Sequence, residues 1–273
     1  MNISTNFITA DFLFILGSGV LVAAAGSLLG IFLVSRKMAL VSDALSHVAL
    51  PGVGLAFILN FDIFWGVLLA LIPVLLVLNL IEQKVRIDFS TLVGIIFAFS
   101  LAVGVFLLPG EELLEGLFGD IGKIMKKDFL ITMVTVSFVA IFIIKYYREL
   151  LLISFSEEWA RIKKTKVTFI NALFYVSLAL IIALGIKIIG ALLISSLLII
   201  PASSAINLAR NSKEMIILSL LFGVLGMTAG LLFAESVAEI TSFAGPVVII
   251  AQTAIFAFTF AVKKIRSKKS SAK

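Results

Sequence analysis

Long runs of apolar residues alternate along this chain with short polar or charged segments. Each run has about the 17–25 residues that an α-helix needs to cross the roughly 30 Å of hydrocarbon in a bilayer. The runs are continuously apolar, whereas a membrane-spanning strand shows alternating polarity over about ten residues. In the predicted arrangement, Lys187 alone separates the sixth helix from the seventh. The pattern predicts nine transmembrane helices, at Phe12–Val34, Met38–Leu59, Ile63–Ile81, Phe89–Leu108, Phe129–Ile144, Val167–Ile186, Ile188–Ala209, Met215–Ala234 and Phe243–Val262.

The composition also indicates a membrane protein. Hydrophobic residues make up 61% of the 273 residues and charged residues 14%, against about 25% charged residues in soluble domains. With a mean hydropathy of +1.21, the chain has too few charges to cover the surface of a soluble globule. We therefore predict an all-α, polytopic membrane protein in which residues 1–273 form one domain. An eight-helix arrangement is the alternative, if the region after Gly226 is re-entrant.

Lysine and arginine residues set the predicted orientation. If the N-terminus lies outside, 18 of the 22 Lys and Arg residues fall on the cytoplasmic side, and the positive-inside rule favours that arrangement. The C-terminus is then cytoplasmic. The longest cytoplasmic segment, Lys145–Lys166, is amphipathic. By itself this pattern fits either a short helix on the membrane surface or a docking element for a soluble partner.

Several kinds of chemistry are excluded by what the sequence lacks. It has no cysteine, so disulfides and thiolate metal sites are excluded. The nearest approach to a P-loop, Gly116 to Lys123, has the wrong spacing, so no nucleotide site is expected. Nucleic-acid binding is not expected either. Energy for any transport must therefore come from another subunit or from an ion gradient.

Two ionisable residues lie inside the predicted helices, and both are in the second one. Asp43 and His47 are four residues apart, so their side chains lie on one helix face about one turn apart. A carboxylate and an imidazole can together bind a divalent cation such as zinc or manganese. Ser42 and Ser46 add hydroxyl groups nearby. Pro51 predicts that the helix is kinked or broken one turn later.

The spacing alone leaves three interpretations of this pair open. Ionisable groups inside a membrane are costly and are usually functional, which favours a metal site. A structural hydrogen bond between Asp43 and His47 is the second interpretation, and a proton relay is the third.

A second acidic pair, Glu235 and Glu239, lies at the outer end of the eighth predicted helix. Two carboxylates on one helix face supply oxygen ligands suited to hard cations, although charged residues are also common at helix ends. Asp43 is expected near the cytoplasmic end of its own helix. One site with all four ligands would therefore require the second helix to be broken or shifted outward.

Four stretches of the sequence resemble, in order, the zinc/manganese/iron permease family of ABC importers. In RKMALVSDALSHVALPGVGLAFIL, a basic pair precedes the family pattern Gly-Asp-Ala-x-Ser-His-x-x-x-x-Gly, with Ser42 in place of the first glycine. Near the end of the chain, Phe243-Ala244-Gly245 stands where the family often has Pro-Ser-Gly. The other matching stretches are LFGDI at Leu117–Ile121, YRELLLISFSEEWA at Tyr147–Ala160 and IGALLISSLLIIPASSAINLAR at Ile189–Arg210.

The resemblance implies a homodimeric permease in a bacterial plasma membrane, with a fold similar to type II ABC importers but with fewer helices. It implies two further partners, a cytoplasmic ATP-binding subunit and an extracytoplasmic metal-binding solute protein. The metal (zinc, manganese or ferrous iron) is then transported, and no permanently bound cofactor is expected. The resemblance makes Asp43 and His47 contacts of that metal. Some members complete the site with late histidines, which this chain lacks, so Glu235 and Glu239 are candidate oxygen substitutes.

The resemblance also makes residues 145–166 the coupling segment that sits in a cleft of the ATPase. Four residues combine apolar anchors with flanking charges, as docking sites usually do: Phe155, Glu157, Glu158 and Trp159. The alternative function is a proton-coupled secondary metal transporter with Asp43 and His47 as the relay. Such a transporter is expected to contain inverted repeats, and none is visible in the sequence. A third class, an intramembrane metalloenzyme, needs a catalytic base beside an open metal site.

Overall fold

The computed structural model describes residues 10–81, 89–108, 126–236 and 244–271. These residues form helices and no strand, which confirms the all-α class. In chain order the helices are α1 (Ala10–Ser35), α2 (Ala39–Val48), α3 (Leu50–Leu59), α4 (Ile63–Ile81), α5 (Phe89–Leu107), α6 (Lys126–Lys145), α7 (Tyr147–Phe155), α8 (Glu157–Ile162), α9 (Val167–Ile189), α10 (Ala191–Leu208), α11 (Ser212–Ser236) and α12 (Ala244–Ser271).

The predicted membrane spans correspond to these helices. Counting α2 and α3 as one span, eight spans among the described residues are long and apolar enough to cross a bilayer. Helix α5 adds a shorter apolar helix, Thr91–Leu107. Helix α11 continues through Gly226 to Ser236. The eight-helix alternative needs a re-entrant segment after Gly226, and the described residues up to Ser236 do not form one.

The second span is interrupted where the sequence predicts it. Helix α2 ends at Val48 and α3 begins at Leu50, with Pro51 in the first turn of α3. Proline has no N–H to bond the carbonyl four residues earlier, which here belongs to His47. The break at Ala49 therefore lies two residues after His47, which carries the imidazole.

One predicted boundary is wrong. Lys187 does not separate the sixth and seventh spans, because it lies inside α9 and the chain turns at Gly190. Gly190 has a φ of 87°, a backbone conformation that side chains with a Cβ rarely adopt. The ammonium group of Lys187 instead forms ion pairs with carboxylates of other segments.

Small residues let the helices approach closely. Helix α9 is largely buried and packs against α4, α1 and α10. A side chain at Gly30 of α1 would collide with the backbone carbonyl of Leu198 in α10. In α11, Gly226 and Gly230 face Gln252 and Val248 of α12 in the same way. These glycine pairs therefore serve packing within one chain.

The ends of several helices meet at what we call the basic end, which carries Arg36, Lys145 and Arg210. There Arg36, just after α1, donates to the Ser154 hydroxyl of α7 and to the Asn171 side chain of α9. The predicted segment 145–166 thus contains two short helices, α7 and α8, that are fixed to the bundle. Two features of the sequence, the Leu117–Ile121 motif and Glu239, lie outside the described residues.

Candidate functional site

The candidate metal-binding side chains lie on α2, which packs against α5 and α10. The side chains of Ser42 and Ser46 are buried on one side of α2, whereas Asp43 is exposed and His47 is half-buried. The Ser42 hydroxyl donates to the carbonyl of Ala39 at 2.8 Å. Asp43 and His47 therefore share a face of α2 that lies beside the more deeply buried face of Ser42 and Ser46.

The imidazole of His47 has an open nitrogen. Its Nδ1 atom is buried and has no hydrogen-bond partner among the residues that the structure describes. The ring makes an edge contact with Phe97 of α5, with centroids 5.3 Å apart and planes at 79°. A buried polar atom without a partner is unfavourable, and Nδ1 is one of the two nitrogens through which histidine binds metals. Nδ1 is thus a candidate ligand atom for a cation.

A pair of serines fixes α2 against α10. The Ser46 hydroxyl donates to the carbonyl of Asp43 at 2.7 Å and lies 3.0 Å from the hydroxyl of Ser195. Both hydroxyls are buried at the point where the two helices cross. Ser46 is therefore a support for the helix that carries Asp43 and His47. The sequence suggested hydroxyls near the pair but gave no sign that Ser195 is the partner.

The second acidic pair is not gathered with the first in the described residues. Glu235 is half-buried in the last turn of α11, and Glu239 lies outside the described range. Among the residues that the structure describes, no three His, Asp or Glu side chains are close enough to bind one ion. The cause is packing, because α2 contacts α5 and α10, whereas α11 contacts α1, α10 and α12.

A partly buried ion cluster lies at the end of the bundle opposite the basic end. The ammonium group of Lys187 in α9 donates to Asp62, before α4, at 2.5 Å and to Asp128, in the first turn of α6, at 2.7 Å. The other oxygen of Asp62 accepts the N–H of Phe64 at 3.0 Å and begins α4. Sequence reasoning missed this cluster, since its members are far apart in the chain.

The cluster changes the acidity of Asp62. Burial raises the pKa of this carboxyl, but the hydrogen bond and charge of Lys187, the N–H of Phe64 and the charge of Lys127 together lower it. The net direction is a pKa below the ordinary value of an aspartate. Lys187 therefore pairs with two carboxylates at once, and the three groups together keep a net charge of −1.

The predicted coupling residues lie on α7 and α8 at the basic end. Leu150, Ile153 and Ala160 are buried and anchor the two helices. Phe155 and Trp159 are 85% and 62% exposed and lie outside the candidate membrane spans.

The two glutamates among the predicted coupling residues, Glu157 and Glu158, have different surroundings. Glu157 pairs with Arg161 on the same helix at 2.6 Å, and Glu158 is exposed. Beside them, a cleft of about 410 Å³ is lined by Phe155 and Leu151 of α7 and by Arg210 and Met215 near the start of α11. This surface can hold a soluble partner.

Comparisons with known proteins give the following results. Residues 11–263 match the ABC 3 transport family. The manganese transport system membrane protein MntC of Halalkalibacterium halodurans is 29% identical over 254 residues, covering 91% of this chain and 87% of that protein. The high-affinity zinc uptake system membrane protein ZnuB of Haemophilus influenzae is 30% identical over 244 residues, covering 88% and 92%. The solved structure of PsaBC from Streptococcus pneumoniae in complex with Fab superposes with a TM-score of 0.81 at 30% identity, covering 94% of each chain.

Proposed function

Since this chain belongs to the ABC 3 transport family, a family of metal ABC importer permeases, we propose that it passes a divalent metal from an extracytoplasmic binding protein to the cytoplasm, driven by ATP that a separate subunit hydrolyses. The family membership agrees with the resemblance found in the sequence. The proposal adds the source of energy, the direction of transport and the residues that contact the metal.

The observation that carries the proposal is the face of α2 formed by Asp43 and His47. These side chains lie within a membrane span, and in the described part of the chain nothing hydrogen-bonds to the buried Nδ1 of His47. A metal ion passing this face would meet a carboxylate and an imidazole, both of which bind zinc and manganese. Glu235 and Glu239 are proposed as further oxygen ligands, in a conformation or assembly that brings α11 closer to α2.

We propose manganese or zinc as the metal, because these are the metals in the names of the relatives. Ferrous iron is kept in the proposal because one imidazole with several carboxylates suits iron as well as manganese. The metal is the transported substrate, so no permanently bound cofactor is proposed.

The partners follow from what the chain lacks and what it exposes. It has no nucleotide-binding motif, so we assign ATP hydrolysis to a cytoplasmic subunit. The exposed Phe155 and Trp159, with Glu157 and Glu158, are proposed to dock into that subunit. Because most Lys and Arg residues gather at the basic end, that end is proposed to be cytoplasmic, with the N-terminus outside. A second copy of the chain is proposed to complete the pathway.

The test is uptake of manganese or zinc into proteoliposomes that contain the permease and its ATPase, with the metal-loaded binding protein on the outside and ATP inside. We expect uptake that requires ATP and stops when the catalytic glutamate of the ATPase is replaced by glutamine. A matched preparation without the ATPase, placed under a proton gradient, is the control. Uptake in that control would overturn the proposal in favour of the proton-coupled transporter.

A further inference from the structure

A basic cavity lies where α6, α7 and the start of α9 meet. Its volume is about 540 Å³. Three lysines and two aromatic side chains line most of it, together with one acid: Lys163, Lys164, Lys166, Tyr146, Phe169 and Glu149. A fourth cation, Lys145, lies over the ring of Tyr146 at 5.3 Å. The lining therefore has an excess of positive charge that the function proposed above does not use.

The backbone within this group of lysines has an unusual conformation at Lys164. Helix α8 ends with the N–H of Thr165 bonded to the carbonyl of Ala160 at 3.0 Å and the N–H of Lys164 bonded to the carbonyl of Arg161 at 2.9 Å. In such a helix end the turning residue is usually glycine, because it is left-handed. Here it is Lys164, with a φ of 57°. Left-handed backbone at a residue with a side chain is strained and is often found at functional positions.

The cavity borders the apolar surface of the bundle. Phe169, in the first turn of α9, is exposed and lines the cavity. Ile144, near the end of α6 and two residues before Tyr146, is exposed as well. In a membrane protein, exposed apolar side chains within the spans contact lipid chains. The lysines thus stand where the hydrocarbon ends and the polar layer begins.

We propose that this cavity binds the headgroup of an anionic phospholipid of the cytoplasmic leaflet. The phosphate would bond to Lys163, Lys164 and Lys166, and an acyl chain would run along Phe169. Basic pockets between transmembrane helices at the cytoplasmic side are suited to such headgroups, and that leaflet carries negative charge. The cavity and the proposed ATPase contact share the segment 145–166 but use different residues of it, since that contact uses Phe155 and Trp159. The site takes the basic end to be cytoplasmic, as proposed above.

The experiment compares the purified permease complex in neutral detergent with its triple variant K163Q/K164Q/K166Q. Phosphatidylglycerol is added in steps, and the concentration that gives half of the maximal thermal stabilisation is measured. Phosphatidylcholine tests the need for negative charge, and inorganic phosphate tests whether a free anion is enough. The control, called the tail variant, is K263Q/K264Q/R266Q, which removes three charges from the exposed C-terminal part of α12 at the same end.

We expect phosphatidylglycerol to stabilise the wild type and the tail variant equally. The cavity variant should need at least about tenfold more lipid, because each lysine near an anionic surface contributes about 1 kcal/mol, or roughly fivefold. If the triple variant does not fold, the single variant K166Q is measured instead. It should show a smaller increase in the lipid concentration needed for half of the maximal stabilisation. Equal behaviour of the cavity variant and the wild type would overturn the proposal. So would an equal loss in the tail variant, or full stabilisation by phosphate alone.

Discussion

The cluster of Lys187, Asp62 and Asp128 allows a quantitative test of the fold. The change is Lys187→Met, which keeps the length of the side chain and removes the ammonium group. Lys187 is only 15% exposed, and its partners Asp62 and Asp128 are 29% and 4% exposed. The variant therefore leaves two poorly hydrated carboxylates facing each other.

The size of the effect follows from the distances. The two oxygens bond to one nitrogen at 2.5 and 2.7 Å, so they are at most about 5 Å apart. Two like charges at that distance repel by about 3 kcal/mol at an effective dielectric constant of about 20. Breaking a buried ion pair by removing one partner costs about 3–5 kcal/mol. Because Asp62 is partly exposed, we expect a loss of about 2–4 kcal/mol in the free energy of unfolding.

The assay is the thermal unfolding of the detergent-purified protein at pH 7. A loss of this size should lower the apparent melting temperature by roughly 5–10 °C. The triple variant K187M/D62N/D128N removes all three charges and should recover most of the loss, because no unpaired charge remains. Lys187→Met with an unchanged melting temperature would refute the reasoning, and so would a triple variant as unstable as the single one.

The pH dependence gives a further check on the same cluster. The lowered pKa of Asp62 means that its contribution to stability is complete above its unfolded pKa of about 3.9 and is lost as the pH falls through the lower folded value. The wild type should therefore keep this contribution from pH 7 down to about pH 4. In Lys187→Met the repulsion is relieved when one carboxylate is protonated. The difference between the two proteins should accordingly narrow as the pH falls.

Three further predictions concern other parts of the molecule. Trp159→Ala should abolish the stimulation of ATP hydrolysis by the loaded binding protein, and unchanged stimulation would instead indicate a membrane anchor. In this cysteine-free chain, Ser236→Cys should react with an impermeant thiol reagent from outside and Lys213→Cys should not, whereas the reverse result would invert the topology. Gly30→Ala should reduce the yield of folded protein, because its Cβ would collide with a backbone carbonyl of α10. The control is Gly94→Ala, which should be neutral because no atom of the described residues lies within 4 Å of the added Cβ.

The hydrophobic pattern was sufficient to predict the helices, because a bilayer leaves few alternatives to an apolar helix of about twenty residues. The range Ile63–Ile81 predicted for the third span is the range of α4. The break in the second span was also predictable, since proline removes a backbone donor wherever it occurs in a helix. Both features depend on residues that are close in the chain.

Features that depend on distant residues were not predictable. Lys187 read as a polar boundary, because its carboxylate partners are 125 and 59 residues away in the sequence. The real boundary, Gly190, differs from a packing glycine only in its backbone conformation. Similarly, Ser195 gave no sign that it would meet Ser46, since their pairing depends on how α2 crosses α10.

The candidate site also has one part that was predictable from residues close in the chain and one part that was not. The pair Asp43 and His47 was found from spacing within one helix. The structure places both on one side of α2, and no described residue hydrogen-bonds to the Nδ1 of His47. Whether Glu235 joins them depends on the distance between two helices that do not pack together in the described residues. Spacing within a helix cannot supply that distance.

Uptake by the reconstituted importer shows whether the transported metal contacts Asp43 and His47. Uptake of manganese and of zinc should be measured for Asp43→Asn, for His47→Ala and for the control Ser42→Ala, whose hydroxyl bonds within its own helix. We expect both site variants to lose uptake of the transported metal while dimerisation and ATPase association persist, and the control to transport near the wild-type rate. Wild-type uptake by either site variant would contradict the account.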